Sequence, residues 1–362
     1  MKTASKKKKA VIIVMIVLLV LNIADCVLTI AIYKENFDRR FTTDDMYSRA
    51  EDYKDLIAQR YEFESDKGQK LTGYMYSFPY SSQLPKGIVI LAHGFGGGGH
   101  RSYLSIIDRF ARHSGYYVFA YDATGNDESE GSGVGGLPQG VIDLDHAISF
   151  VENNADFPKL PIVLFGHSWG GYSVMNVLRY HPEVKAAAEC SGFLNASDLY
   201  EIVGKKQAGA GIYAMLPYVK LYDLIKFGKY AANNAFDAFE ASDTPVMVIH
   251  STDDPVVPIE YGYDKIYERY GRDPRFEFVP FMLSGHNSYE DNDKLEALQK
   301  GFDEWVSFRG YDPEAPENKE RRDADKKYYI ENVIGRTKLT DTLNDSLFMS
   351  IAEFYDRNIE KE

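Results

Sequence analysis

Residues 162–170 read IVLFGHSWG, a short apolar run followed by a small-residue motif and then by a pattern that favours a helix. The last five letters form G-x-S-x-G around Ser168. A serine in this motif, after a buried strand and before a helix, is typical of a sharp turn that exposes the hydroxyl. Backbone N–H groups at the start of a helix can stabilise a negatively charged oxygen. The motif therefore predicts a nucleophilic serine, against the alternative of an ordinary glycine-rich turn.

Other apolar runs of the same kind occur on both sides of this segment and alternate with stretches that favour helices. Continuously apolar runs are expected of strands that are covered on both faces. The predicted fold class is therefore α/β, with a mostly parallel central sheet and helices on both faces. The predicted strands are 61–65, 71–76, 87–92, 117–121, 162–165, 186–188, 246–250 and 276–281, and the predicted helices between them are 103–113, 139–153, 169–180 and 259–269.

A nucleophilic serine requires a base, and the base requires an acid that orients it. Of the eight histidines, His286 lies in a polar loop that follows a late predicted strand. The sequence STDDPVVP at 251–258 follows another strand and offers Asp253 and Asp254 as the acid. The chain order of serine, aspartate and histidine, each placed after a strand, predicts a Ser-His-Asp triad. Spacing alone does not separate the two aspartates.

The segment 93–96 (HGFG) ends the first long strand. Its backbone is suited to supply one N–H group of an oxyanion hole, from Phe95, and the second would come from Trp169 after the serine. The glycine run that begins here also matches G-x-G-x-x-G, with Asp122 ending the next strand, which is the outline of a dinucleotide site. Four consecutive glycines satisfy that pattern easily, and the dinucleotide interpretation leaves Ser168 unexplained.

Three further segments differ from this alternation. Residues 195–242 are helix-like and rich in aromatic groups, and they are predicted to form a lid over an apolar pocket; packing against the core is the alternative. Residues 34–60 are predicted as an N-terminal helix, with its amphipathic part at 42–60. Residues 306–362 are predicted as a C-terminal extension to the domain that begins at residue 61, with a charged linker at 311–327 and a final amphipathic helix near 343–357.

Charge divides the chain unevenly. The net charge is −13, and residues 1–33 contain five lysines and one aspartate, so the remainder carries −17. An acidic body argues against binding to a nucleic-acid backbone. The two cysteines, Cys26 and Cys190, are too few for a cysteine-based metal site.

Residues 10–32 are mostly apolar and long enough to span a bilayer as a helix. The lysines before them favour a membrane anchor with the body outside the cytoplasm. We predict that residues 1–33 are a cytoplasmic leader plus an uncleaved transmembrane signal anchor. A cleaved signal peptide, which would give a secreted protein, and a buried core helix are the alternatives.

Together these motifs resemble the α/β-hydrolase superfamily, and most closely its serine hydrolases of the monoacylglycerol-lipase, serine-aminopeptidase and feruloyl-esterase-like branches. The resemblance covers roughly residues 60–305. It implies Ser168 as nucleophile, His286 as base and Asp254 as acid, because the acid of this superfamily directly precedes the x-V-V-P stretch; Asp253 is the alternative. The motifs that carry it are His93-Gly94-Phe95-Gly96, the turn from Asp122-Ala123-Thr124-Gly125 to Ser129-Glu130-Gly131, Gly166-His167-Ser168-Trp169-Gly170, Asp254-Pro255-Val256-Val257-Pro258 and Gly285-His286.

The expected activity is hydrolysis of a carboxylic ester with an apolar acyl or aryl group, without a cofactor or metal ion. The expected partners are a small-molecule ester and the membrane, and no nucleic acid. A serine peptidase, an acyltransferase and a catalytically silent binding module on the same fold are the alternatives.

Overall fold

The computed structural model describes residues 2–79 and 84–360. Its centre is one eight-stranded sheet with the order β1-β2-β4-β3-β5-β6-β7-β8. Strands β3 to β8 are parallel to one another, and β1 and β2 continue the sheet in antiparallel pairing. The predicted, mostly parallel α/β sheet is confirmed. The strands are β1 (Ile57–Glu64), β2 (Lys70–Ser77), β3 (Ile88–Ala92), β4 (Tyr117–Tyr121), β5 (Ile162–His167), β6 (Ala186–Cys190), β7 (Val246–Ser251) and β8 (Phe276–Phe281).

Helices cover both faces of this sheet, because successive side chains of a strand point to opposite sides. Ile90 and Leu164 lie in the apolar core on the side of α3 and α4. Their neighbours Leu91 and Phe165 lie in the core on the side of α2 and α12. The helices are α1 (Lys2–Phe37), α2 (Leu104–Asp108), α3 (Gln139–Asn153), α4 (Trp169–Val177), α5 (Ala196–Ala208), α6 (Ile212–Phe227), α7 (Ala235–Ala241), α8 (Tyr263–Tyr270), α9 (Asn292–Ser307), α10 (Lys319–Tyr329), α11 (Arg336–Thr340) and α12 (Asp345–Ile359).

The predicted helix over 34–60 is wrong. Helix α1 extends to Phe37, and beyond it only the single turn Ala50–Asp52 is helical before β1 begins at Ile57. Thr43, at the start of the predicted amphipathic part, instead donates its backbone N–H and its hydroxyl to the carboxylate of Asp127, each at 2.6 Å. A helix would have satisfied the backbone polar groups of this segment locally. They are satisfied instead by the pairing of β1 with β2 and by the contact of Thr43 with Asp127.

The predicted linker at 311–327 is also wrong, since most of its second half lies in α10. Helix α10 packs on α9 through a small apolar cluster that contains Phe302, Val306 and Tyr329. The predicted final helix corresponds to α12, which packs on the sheet. Helices α9 to α11 therefore lie between the loop of His286 and the last helix.

Helix α1 includes a segment, Lys8–Phe37, that is long and apolar enough to cross a membrane. Its apolar residues are exposed up to Leu28, whereas Thr29, Tyr33 and Phe37 are buried. They pack against α5 and α6, and the hydroxyl of Tyr33 donates to Asp223 of α6 at 2.7 Å. The last turns of the candidate membrane helix are thus part of the folded body.

Candidate active site

Ser168 lies in the turn between β5 and α4, with φ 57° and ψ −114°. A residue with a side chain is strained in this conformation. The turn brings three backbone segments so close that side chains would collide. A Cβ on Gly166 would lie 2.2 Å from the Gly170 oxygen, and one on Gly170 would lie closer still to the Ala92 oxygen. Both glycines of the motif are therefore required by the packing that presents Ser168 at the start of α4.

His286 and Asp254 are brought together as an acid–base pair. The Nδ1 of His286 donates to Oδ2 of Asp254 at 2.8 Å, and the other oxygen of Asp254 accepts the backbone N–H groups of Val256 and Val257 at 2.8 and 2.9 Å. Burial opposes ionisation of Asp254, but hydrogen bonds from His250 and His286 hold its pKa well below the usual range. Since Nδ1 carries a proton, Nε2 of a neutral His286 is left to accept one.

Asp253 has a different role from its neighbour. Its Oδ1 accepts the hydroxyl of Ser251 at 2.5 Å and the backbone N–H of Gly285 at 3.0 Å. The side chain is exposed, and its contacts fix the loop just before His286. Of the two aspartates that spacing left open, the structure places Asp254 against the histidine.

His93 orients the predicted oxyanion donor. Its Nε2 accepts the Ala123 N–H at 3.0 Å, so Nδ1 carries the proton and donates to the Gly94 carbonyl at 2.8 Å. Burial lowers the pKa of His93, which favours this neutral form. The Gly94 carbonyl and the Phe95 N–H belong to one peptide unit. His93 therefore fixes the plane from which Phe95 donates, while the Trp169 N–H lies in the first turn of α4.

His167, the variable residue of the motif, links the two loops around Ser168. The Gly94 N–H donates to the Tyr103 hydroxyl at 2.9 Å, and that hydroxyl donates to His167 Nδ1 at 2.8 Å. His167 Nε2 then donates to the His286 carbonyl at 3.1 Å. Burial and the neighbouring His286 lower the pKa of His167 to about 3, so the ring is neutral as this chain of bonds requires. Sequence spacing gave no signal for this role of His167 and Tyr103.

Two further buried titratable groups lie near the acid. His250, at the end of β7, has no exposed surface, and its Nε2 lies 3.4 Å from Asp254 Oδ2 while donating to the Val257 carbonyl at 2.8 Å. Glu189 of β6 is equally buried, and burial raises its pKa to about 7. Burial opposes protonation of His250, but its hydrogen bond with Asp254 and, after that, the charge of Glu189 raise its pKa. Of these two buried groups, it is His250 that helps to lower the pKa of Asp254.

A cavity of about 360 Å³ opens onto Ser168 and His286. None of its lining residues comes from 195–242, so the prediction that this aromatic segment lines the pocket is not met in this cavity. The segment packs instead on α1 and α4. The lining residues come from the N-terminal segment, the loop after β3 and the start of α2, the serine turn, the loop after β8 and the start of α9. They are Tyr47, Gly94, Phe95, Gly97, Gly98, Ser102, Tyr103, Ser105, His167, Ser168, His286, Asn287, Tyr289, Glu290 and Leu295.

Among the described residues, one group has donor atoms close enough to share a metal ion, namely Glu152, His181 and Glu183. His181 is already engaged there, with Glu183 at 2.6 Å and with Asp145 at 3.0 Å. None of these residues lines the cavity at Ser168.

A parallel sheet that presents a serine on a strand-to-helix turn, with an Asp–His pair on later loops, defines the α/β-hydrolase class. The chain belongs to the α/β-hydrolase superfamily, and it is a hydrolase of the esterase- and lipase-like kind. A family model described as serine aminopeptidase, S33, matches residues 83–219. The predicted superfamily is confirmed.

Individual relatives agree with this placement. The chain is 28% identical over 207 residues to a monoacylglycerol lipase of Mycolicibacterium smegmatis, covering 48% of this chain and 72% of the relative. It is 26% identical over 222 residues to an uncharacterised membrane protein of Saccharomyces cerevisiae, covering 59% and 72%. The solved structure of a Pyrococcus furiosus esterase superposes with a TM-score of 0.53 at 17% identity, covering 76% of this chain and 96% of that one, which supports the fold.

Proposed function

We propose that this protein is a serine hydrolase that cleaves carboxylic esters through Ser168, His286 and Asp254. The observation that carries the proposal is the hydrogen bond between His286 and Asp254 beside the cavity that Ser168 also lines. Ionised Asp254 keeps the proton of His286 on Nδ1, so that Nε2 faces the reaction as a base. A serine alone in a glycine turn would not need this pair.

The chemistry follows from these positions. His286 Nε2 takes the proton of the Ser168 hydroxyl as its oxygen attacks the ester carbonyl. The Phe95 and Trp169 N–H groups stabilise the negative charge on the carbonyl oxygen. His286 then gives the proton to the leaving alcohol, which leaves an acyl group on Ser168. A water molecule, deprotonated by His286, releases the acid and restores the enzyme.

An ester is favoured over an amide as the first substrate class, as in the named activities of the monoacylglycerol lipase and the esterase to which the chain is similar. A panel of nitrophenyl esters and matched nitroanilides with the same acyl groups separates the two classes. Faster turnover of the anilides would contradict the ester assignment and favour the peptidase alternative.

Membrane attachment through α1, with the body outside the cytoplasm, is part of the proposal. The apolar length of Lys8–Phe37 and the basic residues before it support this orientation. Protease digestion of intact cells should degrade the body and spare the lysine-rich end. A secreted body without α1 would show that the segment is a cleaved signal peptide instead.

Labelling of the full chain with a fluorophosphonate tests the nucleophile. The wild type should be labelled, and Ser168→Ala should not be. Ser102→Ala is the matched control because Ser102 lines the same cavity away from the turn, and it should retain labelling. Equal labelling of wild type and Ser168→Ala would overturn the assignment.

A further inference from the structure

Glu290 is the one carboxylate among the described residues that line the cavity at Ser168. It follows His286 by four positions, in the loop that leads into α9. Glu290 has no part in the proposed hydrolysis mechanism. An acid at this position adds negative charge to the space that receives the substrate.

The position of Glu290 is fixed from two sides. Its carboxylate accepts Asn287 Nδ2 and the Thr342 hydroxyl, each at 3.2 Å. Its backbone forms a bridge with Leu343, next to a 2.6 Å bond from the Asp291 N–H to the Thr342 carbonyl. The segment that returns from α11 thus holds Glu290 at the cavity wall, which gives this segment a role at the site.

The partners of the Glu290 carboxylate are all neutral. Its hydrogen bonds come from an amide and a hydroxyl, and within the described residues no lysine, arginine or histidine pairs with it. Burial raises the pKa of Glu290, and no nearby positive charge offsets that effect. A partly buried carboxylate with neutral donors gains most from a cation that enters beside it.

Aromatic rings lie next to this carboxylate. Tyr47 and Tyr289 line the same cavity, and after burial it is the charge of Glu290 that most raises the pKa of Tyr47. The faces of aromatic rings attract cations, and the attraction is larger where water is excluded. A carboxylate beside two tyrosine rings is a combination that suits an ammonium group.

We propose that the cavity binds a cationic ammonium group of the substrate between Glu290 and the rings of Tyr47 and Tyr289. The preferred ester then carries a positive charge close to its scissile carbonyl. This inference rests on the proposed ester hydrolysis and narrows its substrate class. The charge of −17 on residues 34–362 also favours the approach of a cation.

Two thioesters of nearly the same shape test the inference on the detergent-solubilised full chain. Acetylthiocholine carries a quaternary ammonium group, and 3,3-dimethylbutyl thioacetate replaces it by a neutral tert-butyl group. The wild type should show a higher kcat/KM for the cationic ester. Glu290→Gln should lower the ratio of cationic to neutral kcat/KM by about tenfold or more, because a desolvated charge pair is lost.

Glu304→Gln is the matched control. It makes the same change of charge on the exposed side of α9, and its ratio should equal that of the wild type. Protection of Ser168 from fluorophosphonate by tetramethylammonium gives a second measurement that does not depend on turnover. Protection should be strong in the wild type and weak in Glu290→Gln, and equal protection of both would contradict the proposal.

A wild-type preference for the neutral ester would overturn the inference. An equal loss of kcat/KM on both esters in Glu290→Gln would also overturn it, because the residue would then be a structural support. Hydrolysis of neither ester would overturn it as well. Fluorophosphonate labelling then tells the cases apart, since labelling of Ser168 leaves the proposed nucleophile standing and its absence removes both proposals.

Discussion

Two long segments lie next to the carboxyl edge of this sheet, and they differ in what they contribute to the site. The aromatic segment 195–242 packs on α1 and α4, and none of its residues lines the cavity at Ser168. The segment after His286 supplies Asn287, Tyr289, Glu290 and Leu295 to that cavity. Richness in aromatic groups identified a segment that packs closely, but it did not identify the surface against which the segment packs.

The largest expected effect is the loss of activity when Asp254, the acid that contacts His286, is changed. Asp254→Asn should lower kcat by about 10³–10⁴-fold, because His286 loses the partner that fixes its tautomer and stabilises its charge. Asp253→Asn is the matched control, and we expect a change of less than about tenfold since this residue contacts Ser251 and Gly285 and not His286. Steady-state kinetics on a nitrophenyl ester measures both. A larger loss in Asp253→Asn would exchange the two roles.

In the aromatic segment, a change of pH should alter the free energy of unfolding and not the catalytic rate. Burial raises the pKa of Asp223 to about 6, against hydrogen bonds from Tyr33 and Tyr200. A buried acid with a raised pKa binds more protons in the folded state, so the free energy of unfolding falls as pH rises from about 4 to 6. This decrease in the free energy of unfolding is on the order of 2–3 kcal/mol.

Asp223→Asn should remove this part of the pH dependence. Denaturant unfolding of the full chain in detergent, followed by tryptophan fluorescence between pH 4 and 7, measures the difference between variant and wild type. A wild-type slope that persists in Asp223→Asn would assign the dependence to another group.

Substitution of one leucine in each segment shows which of the two segments contacts the substrate. Leu295→Trp on α9 narrows the cavity and should raise KM about tenfold or more for esters that fill it. Leu224→Trp on α6 is the matched control, because that side chain is also exposed but lies outside the cavity. A change of KM in Leu224→Trp alone would return the substrate pocket to the aromatic segment.

The smallest expected effect lies at the junction of α1 with the aromatic segment. Tyr33→Phe removes one donor to Asp223 and should lower the free energy of unfolding by about 1 kcal/mol, with kcat/KM changed little. Tyr213→Phe, on the exposed side of α6, serves as the control. Equal unfolding midpoints for wild type and Tyr33→Phe would show that the buried end of α1 adds nothing through this bond.

Local patterns predicted the elements whose physical causes are local. The continuous apolar runs of β3, β5 and β7 indicated strands covered on both faces, and all three lie in the sheet. The serine motif predicted a tight turn because its two glycines indicate that backbone segments pass close to each other. The predictions at 34–60 and 311–327 failed because packing with other elements decided both segments. The charged segment 319–327 forms a helix that packs on α9. The helical propensity at 42–60 yielded to pairing of β1 with β2 and to the bond between Thr43 and Asp127.

The sequence by itself determined the α/β class, the position of the serine turn and a short set of candidate partners, because these depend on residue type and on the order of strands. The family resemblance implied Asp254 as the acid, but spacing alone left Asp253 open, and the tertiary structure places Asp254 against His286. Only the tertiary structure brought His93, Tyr103 and His167 into one network. The same holds for Glu290, which a bridge to Leu343 fixes at the cavity wall. Contacts between residues far apart in the chain depend on packing, and no local spacing encodes them.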